Sequence, residues 1–324
     1  MYPLKFKPYY VEKIWGGRNI SKFKNDLPEG NIGESWELSC RKDVDSSIIN
    51  GEYKGKTFGS LLLEKGSLLA GSKISIETFP LLIKFLDAKE ELSIQVHPDD
   101  EYAKKDGDLG KTEVWVVLEA DEDANMVLGT KDCTKELFCK GIHENDLEPC
   151  LNRIPINKGD VYFIKSGLIH TMKGALVAEI QQNSDLTYRV YDFNRGRDLH
   201  IDKALDVMDF SLKGRKASGL VSKKYGYTKT YYCYNDKFSL EQYEIDKVLS
   251  EVSDSERFYV YICIDGKGKI IYEGGEEDIN IGETIFIPAV LGEYKIEGKL
   301  TLLKTYVPDI KKLEREILDE VSYL

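Results

Sequence analysis

The chain has 324 residues, which is long enough to bury a large core and to form two domains. Its formal net charge of -11 at pH 7 and its pI near 5.1 argue against nucleic acid or an anionic membrane as the main partner. An anionic small-molecule substrate would therefore need a local basic patch.

Most of the elements predicted along the chain are β-strands. Strands are expected over 75–86, 92–97, 113–118, 161–164 and 176–180, with more after residue 225. Helical spacing of apolar residues predicts a helix over 199–209, and a helical insertion of one or two short helices over 131–147. The acidic stretch 119–123 is expected to be a solvated turn. The sequence thus predicts a mainly β fold with a few short helices.

The segment Ser93–Pro98 carries the strongest functional signal. Side chains of a strand alternate between its two faces, so Ser93, Gln95 and His97 point one way while the apolar residues between them point the other. Burying such a polar row is costly unless something satisfies it, and a metal ion would do so.

Two further segments supply metal-ligand chemistry. Gly110–Trp115 is strand-like and places Lys111 and Glu113 on a shared face, and His170 follows the apolar strand 161–164. The predicted ligand set is therefore Gln95, His97, Glu113 and His170, with one ion per chain.

The alternative is that these histidines are ordinary hydrogen-bonded structural residues, as a lone histidine in a strand usually is. Scarcity favours the metal site, because the chain has only 4 His and two of them lie beside these segments. The other two, His143 and His200, lie in polar, helix-like stretches and are expected to be structural.

Several blocks resemble those of the class I mannose-6-phosphate isomerases. Leu-Ser-Ile-Gln-Val-His-Pro-Asp-Asp at 92–100 resembles their zinc signature, and Gly-Lys-Thr-Glu at 110–113 resembles their second ligand segment. Further blocks agree in the same order: Trp15-Gly16-Gly17, Gly33–Glu37, and Gln181–Asp185 followed by Arg189. The resemblance is closest to the short bacterial form, spans most of residues 1–200 and is thinner past Ala217.

This resemblance implies an aldose-ketose isomerase that interconverts mannose 6-phosphate and fructose 6-phosphate. The reaction is a metal-assisted proton transfer between C1 and C2 through an enediol. Zn²⁺ is the implied cofactor, although Mn²⁺, Fe²⁺ or Co²⁺ suit the same ligands. The alternatives are a regulatory bicupin that binds a sugar phosphate without turnover, and another metal-dependent cupin enzyme.

The resemblance also assigns roles to individual residues. Arg189 matches the active-site arginine of the family, with Arg195 as an alternative, and Lys111 is the second catalytic candidate. Ser93, Lys111 and Arg189 are expected to bind the substrate. The proton could be moved by Lys111, by Asp185 or by a metal-bound water. Trp15, Trp36 and Glu37 could line the site or pack the barrel, and packing is the favoured interpretation.

An internal repeat supports a two-part architecture. Ile156–Asp160 leads into the strand 161–164 much as Ile279–Glu283 leads into 284–287. We therefore expect two cupin-like β-sandwich or barrel domains, a catalytic one over 1–215 and a second over 216–324. In this register His170 corresponds to Glu293, and no His follows His200, so the second domain is expected to bind no metal.

The cysteines and the N-terminus indicate the cytoplasm. Six Cys are scattered without C-x-x-C spacing, and the first residues lack the apolar run of a signal peptide. Reduced thiols are therefore expected. No apolar run is long enough for a membrane span.

Overall fold

A computed structural model describes residues 1–321. Eighteen strands and six α-helices lie in this part of the chain. The strands are β1 (Leu4–Lys5), β2 (Tyr9–Gly17), β3 (Ile32–Leu38), β4 (Leu81–Ala88), β5 (Ile94–Val96), β6 (Glu113–Thr130), β7 (Leu151–Pro155), β8 (Val161–Ile164), β9 (His170–Gln182), β10 (Tyr188–Tyr191), β11 (Leu220–Lys224), β12 (Tyr227–Tyr234), β13 (Ser239–Ile245), β14 (Val248–Val252), β15 (Tyr259–Tyr272), β16 (Gly275–Asn280), β17 (Thr284–Ile287) and β18 (Glu293–Tyr306). The helices are α1 (Phe58–Lys65), α2 (Ser67–Ala70), α3 (Asp100–Ala103), α4 (Lys135–Glu144), α5 (Ile201–Val207) and α6 (Ile310–Val321). Among the described residues, no helix is long and apolar enough to cross a membrane.

The strands form two antiparallel sheets of nine strands each. The first sheet consists of β2 to β10, and the second consists of β11 to β18 together with β1. The expected division near residue 215 falls between these sheets, except that Leu4 and Lys5 pair with β17 of the second one. Residues 322–324 of the expected second domain lie outside the described part of the chain.

A shared aromatic core joins the two sheets. Phe58 and Phe79, which lie before β4, pack against Phe286 of the second sheet with ring centroids 5.1 and 6.4 Å away. Phe258 stacks on Phe286 at 5.0 Å. All four side chains are buried, so each sheet contributes to the burial of the other.

The internal repeat predicted from the sequence is confirmed by identical local pairing. The N–H of Val117 donates to the carbonyl of Asp160 and the N–H of Gly159 donates to that of Val117, both at 2.8 Å. Cys263 makes the same two bonds with Glu283 and Gly282, at 2.9 and 2.7 Å. The register also shifts directly after Val117 in β6 and directly after Cys263 in β15. The β6–β9 and β15–β18 ladders are therefore equivalent.

Three expectations are wrong in detail. The strand predicted over 75–86 begins only at Leu81, directly after Pro80, whose missing N–H cannot join a ladder. The acidic stretch 119–123 is not a turn, because β6 continues through it with a break in register between Ala120 and Asn125.

The third correction concerns the cysteines. Cys133 and Cys150 form a disulfide that closes the helical insertion around α4, so these two are not free thiols in the structure. The other four cysteines are free.

Candidate active site

A cluster of three buried metal-ligating side chains lies inside the first sheet. His170 Nε2 is 3.3 Å from Glu113 Oε1, and His97 Nε2 is 3.7 Å from Glu113 Oε2. All the potential ligand atoms lie within 4.8 Å of one another, and all three residues are buried. Glu113 and His170 lie at opposite ends of the β6–β9 ladder, where they pair with Gln181 and Leu128, and the curvature of the sheet brings their side chains together.

Backbone carbonyls fix the orientation of both imidazoles. His97 Nδ1 lies 2.8 Å from the carbonyl oxygen of Leu186, and His170 Nδ1 lies 2.9 Å from that of Leu168. An Nδ1–H donated to a carbonyl leaves Nε2 as a lone-pair donor, which is the usual arrangement around a bound metal. Both Nε2 atoms face Glu113.

The unsatisfied polar atoms of the cluster fit a metal ion. His97 Nε2 and both carboxylate oxygens of Glu113 are buried without a hydrogen-bond partner. Leaving such atoms unpaired costs free energy. Imidazole nitrogen and carboxylate oxygen are ligands of Zn²⁺ and of other divalent transition metals, so one ion would satisfy these atoms.

Gln95 and Ser93 complete the polar row predicted from the sequence. The side-chain amide of Gln95 lies 3.4 Å from His170 Nε2, and Ser93 Oγ donates to Gln95 Oε1 at 3.1 Å. Ile94 and Val96 face the opposite way into an apolar cluster. The alternation predicted for this strand is therefore present, and it brings Gln95 to the edge of the His97–Glu113–His170 cluster.

A polar pocket adjoins the cluster and carries most of the predicted site residues in its wall. It is lined by Lys13, Trp15, Glu34, Lys84, Leu86, Leu92, Ser93, Gln95, Lys111, Glu179, Asp185, Thr187, Arg189 and Arg197. Five of these side chains are cationic and three are acidic, in a chain that is acidic as a whole. This is the local basic patch that an anionic substrate requires.

Lys111 stands between two buried carboxylates. Its Nζ is 3.2 Å from Glu113 Oε2 and 3.8 Å from Glu179 Oε1. The indole N–H of Trp115 donates to Glu179 Oε1 at 3.0 Å. Burial, together with repulsion from Glu113, raises the pKa of Glu179 to about 7 despite the attraction of Lys111 and Lys84. Glu179 is therefore able to exchange a proton near neutral pH.

The pKa of Glu113 is shifted in the opposite direction from that of Glu179. Burial alone would raise the pKa of its carboxyl, but Lys111 and the two imidazoles hold that pKa well below the ordinary value. Glu113 is thus an anion throughout the neutral range, as a metal ligand must be.

A second buried ion network, centred on Lys84, also lines the pocket. Lys84 Nζ is 2.9 Å from Asp185 Oδ1 and 3.5 Å from Glu34 Oε2, and it lies over the Trp36 ring, 4.3 Å from the centroid. Burial would lower the pKa of Lys84, but Glu34 and Asp185 raise it. Burial would raise the pKa of Asp185, but Lys84 and Lys111 lower it. Asp185 therefore stays ionised and is a weak proton acceptor.

The three arginines near β10 occupy different places. Arg189 pairs with Gln95 in the β5–β10 ladder, lines the pocket, and leaves its Nε buried without a hydrogen-bond partner. Arg197 also lines the pocket and pairs with Asp192. Arg195 donates to the carbonyls of Glu91 and Asp192 at 2.6 and 3.1 Å and does not line the pocket.

Trp15, Trp36 and Glu37, for which the sequence favours packing over lining the site, are divided between the two roles. Trp15 is 5% exposed and belongs to an apolar cluster, but it also lines the pocket. Trp36 lies beneath Lys84, and Glu37 pairs with Lys24 away from the pocket.

The sequence analysis missed Lys84, Glu34, Glu179, Lys13 and Arg197. Lys84 and Glu179 each interrupt a short run of apolar residues within their strand, and they are direct cross-strand partners in the β4–β9 ladder. A charge inside a wholly buried strand is the signal that could have identified them.

Two family models match separate parts of the chain. The model of the phosphomannose isomerase type I catalytic domain matches residues 4–128, and that of the mannose-6-phosphate isomerase cupin domain matches residues 227–307. The cupin match, together with the two sheets, confirms the predicted fold class.

Relatives of similar length match almost the whole chain. A probable mannose-6-phosphate isomerase of Bacillus subtilis is 36% identical over 307 residues, covering 92% of this chain and 96% of the relative. The mannose-6-phosphate isomerase of Streptococcus mutans is 33% identical, covering 94% and 98%. A crystal structure of the mannose 6-phosphate isomerase from Bacillus subtilis superposes with a TM-score of 0.88 at 34% identity, over 94% of this chain and 99% of that one. The chain belongs to the type I phosphomannose isomerase family.

Proposed function

We propose that the protein interconverts mannose 6-phosphate and fructose 6-phosphate. The observation that carries this proposal is the contact between a three-residue metal-ligating cluster and a pocket with five cationic side chains, in a chain of this family. A sugar phosphate needs both features, a divalent cation near its reacting carbons and positive charge for its phosphate.

We propose that Gln95, His97, Glu113 and His170 hold one Zn²⁺ per chain. The Nε2 of His97 and the oxygens of Glu113, which are buried without a hydrogen-bond partner, support this ligand set, and Gln95 lies beside His170. When bound, the ion supplies positive charge beside the substrate oxygens on which negative charge develops as the proton moves.

Arg189 is the proposed phosphate or substrate-oxygen contact. Its unpartnered Nε and its place in the pocket wall favour it over Arg195, whose guanidinium already donates to two backbone carbonyls. A planar guanidinium can bind two phosphate oxygens at once. Ser93 and Lys111, which also line the pocket, are proposed to bind sugar oxygens.

Glu179 and Lys111 are the groups best placed to move the proton between C1 and C2. A group with a pKa near the working pH is the most effective proton carrier, and the pKa of Glu179 is raised to about 7. Lys111 is an ammonium between Glu113 and Glu179 and therefore orients both carboxylates. Asp185, an earlier candidate, is held as an anion by Lys84.

The organisation and location of the enzyme are also proposals. We assign the catalytic domain to residues 1–215 and a metal-free second domain to residues 216–324. A cytoplasmic enzyme fits a soluble phosphorylated substrate.

A coupled assay with mannose 6-phosphate, run with and without a chelator, tests the proposal. We expect turnover that the chelator abolishes and that added Zn²⁺ restores. The alternative, a regulatory bicupin, predicts that mannose 6-phosphate raises the melting temperature of the protein without any turnover. Turnover that is unaffected after the metal has been removed would contradict the metal-assisted mechanism.

A further inference from the structure

The second sheet repeats the charged positions of the catalytic pocket with reversed signs. Val117 and Cys263 are equivalent residues, and counting along the ladders from them aligns Glu179 with Lys304. The cross-strand partner of Glu179 is Lys84 and that of Lys304 is Glu241, so Lys84 aligns with Glu241. One strand further, Glu34 pairs with Leu86 and Lys229 pairs with Tyr243, which aligns Glu34 with Lys229. The second barrel therefore keeps a charged interior where the first has its substrate pocket.

The metal ligands of the first barrel are replaced by tyrosines in the second. Tyr259 pairs with Ile287 as Glu113 pairs with Ile164, so Tyr259 takes the position of Glu113. Tyr294 packs against Tyr261 as His170 packs against Trp115. Glu293, the expected counterpart of His170, is exposed one residue earlier. Nothing at these positions resembles a divalent metal site.

The remaining charges form a buried network inside the second barrel. Lys304 Nζ is 3.0 Å from Glu251 Oε2, and Lys229 Nζ is 3.2 Å from Glu241 Oε2. Glu241 also accepts hydrogen bonds from Tyr243 and Tyr306 at 2.9 and 2.7 Å. Lys229 is only 4% exposed, so its ammonium group needs further acceptors.

Helix α6 brings an acceptor into this barrel. Glu316 Oε1 accepts from Lys229 Nζ at 2.6 Å, and it shares the Tyr231 hydroxyl with Glu320 Oε2, each oxygen lying 2.9 Å from that hydroxyl. The helix itself packs through a small apolar cluster of Leu313 and Ile317 on Tyr231, which is separate from the large cores of the two sheets. The ionic contact between Glu316 and Lys229 therefore adds to the small apolar contact between α6 and the second barrel.

We infer that Lys229 and Tyr231 form a carboxylate-binding site in the second barrel, and that α6 fills this site in cis with Glu316. The buried ammonium of Lys229 is the main donor to the Glu316 carboxylate, and the Tyr231 hydroxyl, which Glu316 shares with Glu320, adds a second polar contact. An open groove bounded by Tyr231 and Ile317 lies beside it. Lys229 does not line this groove, and we expect a small carboxylate to reach Lys229 from the groove once the Glu316 side chain is removed.

Chemical rescue of Glu316→Ala in the full-length chain tests this site. The variant should melt at least about 2 °C below the wild type, since a charged hydrogen-bonded contact is lost. Sodium acetate should restore the melting temperature in a concentration-dependent manner, because a ligand of the native state stabilises it, whereas sodium chloride at equal ionic strength should not. The readout is thermal, so it is independent of isomerase activity.

Two further variants keep the test decisive. Glu316→Gln should show no acetate rescue because its amide still fills the site, and Glu314→Ala, on the same helix but paired only with Tyr234, should show none either. If Glu316→Ala does not accumulate in folded form, refolding from denaturant in acetate and in chloride gives the same comparison. Equal behaviour in acetate and chloride, by either route, overturns the site.

Discussion

Gln95 and His170 are direct cross-strand partners of β5 and β9, and their side-chain ends lie 3.4 Å apart. This single pairing joins the segment that carries His97 to the strand that begins at His170. The metal-ligating cluster therefore depends on the register of one short strand, and a bound ion would hold that register in place.

Metal binding gives the first prediction. His97→Ala and His170→Ala should each lose the bound divalent ion in elemental analysis, because each removes one ligand from the cluster. Chelation of the wild type should lower its melting temperature, since the ion links several strands. The matched control is His143→Ala on the exposed face of α4, which should keep its metal. Full metal retention in both cluster variants would disprove the proposed site.

Substrate charge gives the second prediction. Arg189→Ala should keep its metal and its fold but lose activity by roughly two orders of magnitude or more, because one preorganised charged donor is removed. Arg189→Lys should recover little, since an ammonium does not reproduce the planar guanidinium. Arg195→Ala serves as the control, and we expect turnover close to that of the wild type. The reverse result for the two alanine variants would transfer the role to Arg195.

The pH dependence gives the third prediction. The raised pKa of Glu179, about 7, means that the proton-accepting carboxylate forms only as the pH rises through that value. The value of kcat/KM should therefore increase with pH through about 7 in both reaction directions. Glu179→Gln should lower kcat about 100-fold or more and lose this acidic limb, whereas Glu179→Asp should retain the limb. A wild-type pH profile in the glutamine variant would assign the limb to another group.

The sequence predicted that His97, Glu113 and His170 come together, because these residues stand out against their neighbours. Gln95 and His97 alternate with apolar residues that lie in the core, so a period of two was enough to place them on one face. Lys84 and Glu179 did not stand out, since they lie in long strands whose other residues are buried on both faces. Only the pairing of β4 with β9 shows that these two charges compensate each other.

Long-range contacts explain the remaining differences. The Cys133–Cys150 disulfide joins residues 17 apart around α4, and spacing alone does not identify such a pair. The pairing of Leu4 with Phe286 likewise links the first strand to the second sheet over almost the whole chain. Neither relationship is encoded in a local periodicity.

Core packing gives the last prediction, on the second sheet. Phe286 is fully buried against Phe58, Phe79 and Phe258, so Phe286→Ala should lower the free energy of unfolding by about 3 kcal/mol through the cavity it leaves. Because Phe58 and Phe79 belong to the first half of the chain, the midpoint of denaturant unfolding should move to a lower concentration for both halves together. The control is the exposed Glu293→Gln, which should leave stability, metal content and turnover nearly unchanged, as expected of a second barrel without ligands. Loss of metal or of turnover in folded Glu293→Gln would reveal a catalytic contribution from that barrel.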